Sequence, residues 1–242
     1  MNKIAVGVKG VDDILMGGIP EGKSILLSGN CGAGKTVFAS HFIMEGLKNK
    51  ETAVYISLEQ DKQNLISDLE EMGIMWDHYE KKNKLRIIGG NLAYVRMLKD
   101  KRKAHFEDVI QEIKAVVIEL GAKRVAIDSI NLFLQLFDDI SEQRNCFAQL
   151  NYELQQLGCT ILYTCEIPEI SQKLSWYGFE EFVVDGVLLL RRNYEKELNM
   201  NKRFLEVIKM RGTDYKEGTF PFRITKEGME VYKNDPSSEF FH

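Results

Sequence analysis

Short apolar runs and amphipathic stretches alternate along most of this chain. Ile25-Leu26-Leu27, Ala53-Val54-Tyr55-Ile56-Ser57, Leu85 to Ile88, Val125-Ala126-Ile127-Asp128 and Thr160-Ile161-Leu162-Tyr163-Thr164 read as buried strands. Helical spacing follows the first run through Val37, Phe38, Phe42, Ile43 and Leu47. It recurs through Leu65, Leu69 and Met72, where Gly73 is the expected stop. The clearest stripe is Phe106, Val109, Ile110, Ile113, Val116, Val117 and Leu120, closed by Gly121; another runs through Cys146, Phe147, Leu150, Leu154 and Leu157 to Gly158. Strands alternating with helices predict an α/β fold with a mostly parallel central sheet flanked by helices. After about residue 182 the helical spacing stops, and Val183 to Leu190, Phe204 to Met210, Phe220 to Ile224 and Met229 to Tyr232 predict a C-terminal antiparallel extension. No linker or tandem repeat interrupts the pattern, so residues 1–233 are expected to form one domain and 234–242 a loose tail.

Composition narrows the class without naming a chemistry. With 242 residues, 44% apolar and 28% charged, the chain can build a large core, and a net charge of −4 disfavours a dedicated nucleic-acid or polybasic membrane binder. A basic run nevertheless spans Lys81, Lys82, Lys84, Arg86, Arg96, Lys99, Lys101, Arg102 and Lys103, open to reading as a solvated face or as a polyanion contact. Cysteines 31, 146, 159 and 165 form no C-x-x-C pair and fit reduced thiols in a cytoplasmic protein. No apolar run approaches the length of a membrane span.

The chemistry enters at residues 29 to 36. Gly29-Asn30-Cys31-Gly32-Ala33-Gly34-Lys35-Thr36 fits G-x-x-x-x-G-K-[ST] at every fixed position, between a predicted strand and a predicted helix. Glycines 29, 32 and 34 are expected to free the backbone so that successive N–H groups turn inward around a phosphate, with the helix N-terminus behind them. Lys35 would reach the outer phosphates and Thr36 would hold Mg²⁺. Cys31 fills a free position.

Two carboxylates are candidates to complete such a site. Asp128 ends a buried strand, where it fits a Mg²⁺-side carboxylate or a simple turn residue before Ser129. Glu59 follows the strand Ala53 to Ser57, where it fits a group that orients water at the γ-phosphate, or an acidic start to the next helix. Lys209 and Arg211, two apart on a predicted strand, face the same way while Met210 turns inward; basic residues on an edge strand also serve to block edge pairing.

Gly7 to Gly22, Gly29 to Thr36, Ser57-Leu58-Glu59, Gly121 to Ser129, Gly178 to Leu190 and Lys209 to Tyr215, in that order, resemble the KaiC-like branch of the RecA-type ATPases over nearly the whole chain. The resemblance implies a RecA-like P-loop NTPase fold, ATP with Mg²⁺ as the ligands, and homo-oligomeric rings, commonly hexamers, with ATP at subunit interfaces. It implies Glu59 as the catalytic carboxylate, and Lys209 and Arg211 as a cationic pair reaching the neighbouring subunit's ATP. Three places depart from the family. Gln60 stands where many relatives carry a second glutamate, and Tyr215 stands where a histidine is common. Glu181-Phe182 occupy the place of a phosphorylatable Ser-Thr pair before the aspartate matched by Asp185. With one ATPase module, the chain resembles the hydrolytic half of the family's circadian clock protein rather than its autokinase half.

The leading expectation is therefore an ATPase whose nucleotide state drives conformational change or regulates an unidentified protein partner. A nucleotide-gated scaffold with negligible turnover is the alternative. A recombinase-like DNA-binding ATPase comes third, because the segment Glu166 to Phe182 sets Glu166, Glu169, Glu180 and Glu181 against Lys173 alone. Trp176 and Tyr177 in that segment fit base stacking, or burial at an interface.

Overall fold

A computed structural model of the chain describes residues 1–89, 106–169, 172–195 and 200–233. The N-terminal segment forms a small antiparallel ribbon, β1 (Lys3–Ile4) with β2 (Ile19–Pro20), around the short helix α1 (Val11–Ile14). The central sheet then begins with β3 (Ser24–Gly29), followed by α2 (Lys35–Lys48), β4 (Ala53–Ser57), α3 (Lys62–Glu71), α4 (Asp77–Lys81) and β5 (Leu85–Gly89). Next come α5 (Phe106–Leu120), β6 (Arg124–Asp128), α6 (Ile130–Leu134), α7 (Ile140–Gln156) and β7 (Thr160–Glu166). The chain closes with α8 (Glu180–Val183), β8 (Gly186–Glu195), β9 (Met200–Met210), β10 (Thr219–Thr225) and β11 (Gly228–Val231).

Among the described residues the main sheet has the order β11-β10-β9-β8-β3-β7-β6-β4-β5. Strands β3 to β8 run parallel, and β9, β10 and β11 continue antiparallel from β8. Because strand side chains alternate in direction, each strand feeds two cores. Ile25, Leu27, Tyr55, Ala126 and Leu162 face α2, with Phe38, Phe42 and Trp76, whereas Leu26, Val54, Ile56, Ile127 and Ile161 face α5 and α7, with Ile110, Phe147 and Leu150.

One buried cation ties the layers together. Arg124, fully buried at the start of β6, gives Nε to Glu51 Oε2 at 2.7 Å and Nη2 to Oε1 at 3.2 Å. Its Nη1 donates to Ala5 O at 2.7 Å and Phe42 O at 2.9 Å, so the N-terminal segment, α2 and β6 share one guanidinium. Gly46, in the interior of α2, makes room for it: a Cβ there would stand 2.5 Å from Arg124 Nε.

The alternation of strands and helices appears as expected, with boundaries displaced in the C-terminal extension: β8 runs on to Glu195, β9 begins at Met200, and Tyr232 lies beyond β11. Val183 belongs to the short helix α8, and β8 begins only at Gly186, because Asp185 is pinned at the foot of the sheet by its N–H to Ser24 O at 3.0 Å. The expected tail 234–242, and Arg96, Lys99, Lys101, Arg102 and Lys103 of the basic run, lie outside the described residues.

Candidate nucleotide site

The motif loop leaves the carboxyl edge of β3 and ends in α2, whose first-turn N–H groups have no intrahelical acceptor. Gly32 (φ +69°) and Gly34 (φ +102°) take the left-handed backbone that the motif demands. Gly29 differs from expectation: its backbone φ is not positive, and its missing side chain serves close approach, since a Cβ would stand 2.8 Å from Leu190 O on the adjacent strand. Asn30 fastens the same strand from the loop, giving Nδ2 to Arg192 O and accepting from Arg192 N, both at 3.2 Å. Lys35 is nearly buried, its Nζ folded back onto Gly29 O at 2.9 Å and Asn30 O at 3.2 Å. Cys31 is exposed, whereas Cys146, Cys159 and Cys165 are buried.

The register of the sheet brings Asp128 beside the loop. Its buried carboxylate accepts from three hydroxyls: Thr36 Oγ1 to Oδ2 at 2.9 Å, Tyr55 Oη to Oδ2 at 2.7 Å, and Thr164 Oγ1 to Oδ1. Burial and the charge of Asp128 push the Tyr55 phenol well above its ordinary range, so it stays a donor. The peptide joining Asp128 to Ser129 is cis. A hydroxyl and a carboxylate side by side are the hard oxygen donors that Mg²⁺ takes beside substrate phosphates, so this pair fits that ion.

Glu59 lies on the same rim, just beyond β4, with its side chain still reaching solvent. Surrounding protein and the charge of Asp128 raise its carboxyl above the ordinary value, and Lys35 partly offsets them. Glu59 therefore lies within electrostatic reach of both Asp128 and Lys35. The three come from the turn after β4, β6 and α2, all at the carboxyl edge of the parallel sheet, where ligands collect in open α/β folds.

Lys209 and Arg211 stand apart from this cluster. Met210 pairs with Gly186, and Gly186 pairs with Ile25, so the pair sits at the amino end of β3. The motif loop leaves the far end of that strand, roughly 15 Å away at the usual rise per residue. Met210 is buried and Arg211 exposed, as the alternation predicts. Lys209 donates to Glu181 O, while Arg211 N donates to Asp185 O at 3.0 Å. Burial and the neighbouring charge of Arg211 lower the Lys209 ammonium from its ordinary value.

The acidic segment before β8 is partly turned inward. Glu180 is fully buried and accepts from Tyr177 N at 3.0 Å and Phe179 N at 3.1 Å, while Glu181 takes the Ser175 hydroxyl. Tyr177 stacks on Phe179 with ring centroids 5.9 Å apart, whereas Trp176 is 38% exposed. In the described part of the basic run, Lys81 pairs with Asp77, and Arg86 meets Glu119 at 3.3 Å. No helix among the described residues is long and apolar enough to cross a membrane.

Sequence reasoning did not single out Tyr55, Thr164 or Arg192. The first two read as interior strand positions, and their hydroxyls meet Asp128 only through the pairing of β4, β6 and β7. Arg192 carries no motif, yet its Nη1 stands 2.8 Å from where a Cβ on Gly32 would project.

The family profile described as "ATPase: KaiC" matches residues 4–236. The circadian clock oscillator protein KaiC of Prochlorococcus marinus is 32% identical over 240 residues, covering 96% of this chain and 46% of the relative. That of Synechococcus elongatus is 32% identical over 237 residues, covering 95% and 44% respectively. The chain thus spans a little under half the length of these relatives. A crystal structure of a KaiC-like protein from the hyperthermophilic archaeon Pyrococcus horikoshii matches with a TM-score of 0.83 and 31% identity, covering 96% of this chain and 99% of that one.

Proposed function

Because the chain belongs to the KaiC family of ATPases, with the RecA-like fold of its structural neighbour, we propose that it binds ATP with Mg²⁺ and hydrolyses it within a homo-oligomeric ring. The observation that carries this reading is the convergence of Lys35, Thr36, Asp128 and Glu59 on one rim of the sheet. Gly29, Asn30, Cys31, Gly32, Ala33 and Gly34 wrap the phosphates with backbone N–H groups, and Lys35 exchanges its bonds to the loop carbonyls for phosphate oxygens. Thr36 and Asp128 hold Mg²⁺, which supplies charge to the phosphates undergoing transfer. Glu59 orients the attacking water and accepts its proton as the new bond to the γ-phosphorus forms and the bond to the ADP oxygen breaks. Its carboxyl is raised from the ordinary value, the direction that strengthens a carboxylate as a base.

Arg211 and Lys209 act in trans. They sit at the foot of β3, on the opposite end of the strand from their own loop, a placement that supports the service to a neighbour's phosphates that the family resemblance implies. Cyclic symmetry then gives every subunit one complete site at each interface, and a hexamer is the ring size the family resemblance favours. Nucleotide state at those interfaces couples turnover to conformational change or to regulation of a protein partner, and residues 1–233 work as one ATPase module.

Steady-state hydrolysis of Mg-ATP tests the reading. The wild type turns over, while Glu59→Gln retains ATP binding and loses hydrolysis by roughly 10²-fold or more. Assembly that depends on ATP without turnover in the wild type would instead identify a nucleotide-gated scaffold.

A further inference from the structure

Asp128 spends its carboxylate on three hydroxyl donors, and only one of them, Thr36, belongs to the phosphate-binding motif. The other two come from the sheet itself. Tyr55 rises from the middle of β4, fully buried, with its ring tilted against Trp76 at a centroid distance of 4.9 Å. Its hydroxyl shares Oδ2 with Thr36, while Thr164 of β7 holds Oδ1. Neither side chain reaches solvent, so neither carboxylate bond competes with bulk water. A packed ring and a fixed neighbouring strand thus aim both oxygens of Asp128 from behind. Thr36 approaches from the loop side, where the nucleotide arrives.

We propose that Tyr55 is a positioning residue for the metal-bearing carboxylate: its hydroxyl holds Oδ2 of Asp128 toward Thr36, so that the pair meets Mg²⁺-nucleotide already oriented. The inference rests on the assignment of Asp128 and Thr36 to Mg²⁺ made above. A carboxylate free to rotate loses orientation each time the ion leaves; one clamped by two buried donors does not. Tyr55 can fill this role because its hydroxyl donates to Oδ2 at 2.7 Å from a fully buried ring packed against Trp76. Thr164 performs the matching task at Oδ1 with a shorter reach.

The test uses the full chain with ADP and Mn²⁺ as a paramagnetic stand-in for Mg²⁺, reading bound ion by electron paramagnetic resonance, so no turnover is needed. Tyr55→Phe keeps the ring against Trp76 and removes only the hydroxyl. It is expected to raise the Mn²⁺ concentration at half-saturation about ten-fold, within the range found when partners of metal ligands are removed. ADP binding in excess chelator remains unchanged. Thr164→Val, measured in the same way, shifts the midpoint in the same direction. Asp128→Asn abolishes ordered ion binding and serves as the reference for the underlying assignment. If Asp128→Asn loses the ion while Tyr55→Phe titrates like wild type, the positioning role is overturned and the metal assignment stands. If Asp128→Asn also titrates like wild type, both fall. A Tyr55→Phe protein that melts earlier but keeps its Mn²⁺ midpoint shows a packing role only, and that too overturns the inference.

Discussion

Gly46→Ala should destabilise this protein, although helix propensity predicts the reverse. Alanine in place of an interior helical glycine is worth about 1 kcal/mol in favour of the helix. Here the new Cβ would stand 2.5 Å from Nε and 2.6 Å from Cδ of Arg124, and 3.0 Å from Glu51 Oε2. Arg124 has no room to yield, since its three nitrogens are committed to Glu51, Ala5 O and Phe42 O. Breaking a buried pair of this kind costs about 3–5 kcal/mol. Glu51 keeps 24% side-chain exposure and can be rehydrated, which places the loss at the lower end. Against the helical gain, the net loss is about 2 kcal/mol, a fall in Tm of roughly 4–8 °C for a chain of this size. Urea and thermal unfolding of the pair of proteins measure it. In an Arg124→Met background the obstruction is gone, and the same glycine change becomes neutral or stabilising. A Gly46→Ala protein as stable as wild type, or more so, would refute the packing argument.

Three further outcomes follow from the same geometry. Glu59 has a raised folded value, so its contribution to stability is complete below its ordinary value of 4.5 and is lost as pH rises through the folded value. Glu59→Gln should therefore be more stable than wild type at neutral pH, with the difference vanishing in acid, as urea unfolding across pH would record. His41 accepts from Met229 N at 3.1 Å, and burial, then Lys48, lower its folded value below 6.5. The stability it confers is present above 6.5 and lost as pH falls through the folded value. His41→Ala should flatten that part of the unfolding profile. Finally, of the four cysteines only Cys31 is exposed, so a thiol reagent should label one site quickly in the native protein, and Mg-ATP should slow that labelling; two or more fast thiols would contradict the buried placement of the others.

What the chain disclosed about itself depended on the range of the interaction. The motif from Gly29 to Thr36 is contiguous, and its strand and helix carry their own apolar periods, so loop, flanks and the positive-φ glycines 32 and 34 were all legible. The motif alone makes Gly29 look like a conformational device beside Gly32 and Gly34, yet its constraint is Leu190 on another strand, more than a hundred residues away. The order of strands, which sets Asp128 between Tyr55 and Thr164, leaves no local trace, and tyrosine and threonine inside apolar runs look like β-formers. Hydrophobicity alone places Val183 in a strand, whereas it ends the short helix α8. The anchor that delays β8 to Gly186 is a bond from Asp185 to Ser24, again across the sheet. Short pieces such as α4 and α6 span too few residues to show a period.

If a neighbour completes each site, mixing two inactive variants restores hydrolysis. Glu59→Gln lacks the carboxylate at its own loop, and Arg211→Ala lacks the cation offered to the next subunit, so each alone should hydrolyse ATP poorly. Random mixing after subunit exchange leaves roughly one interface in four with both groups intact in a cyclic ring. Turnover should recover toward about a quarter of the wild-type rate, scaling with the fraction of mixed rings. Mixed rings that remain as inactive as their parents, or an Arg211→Ala protein with wild-type turnover, would contradict it.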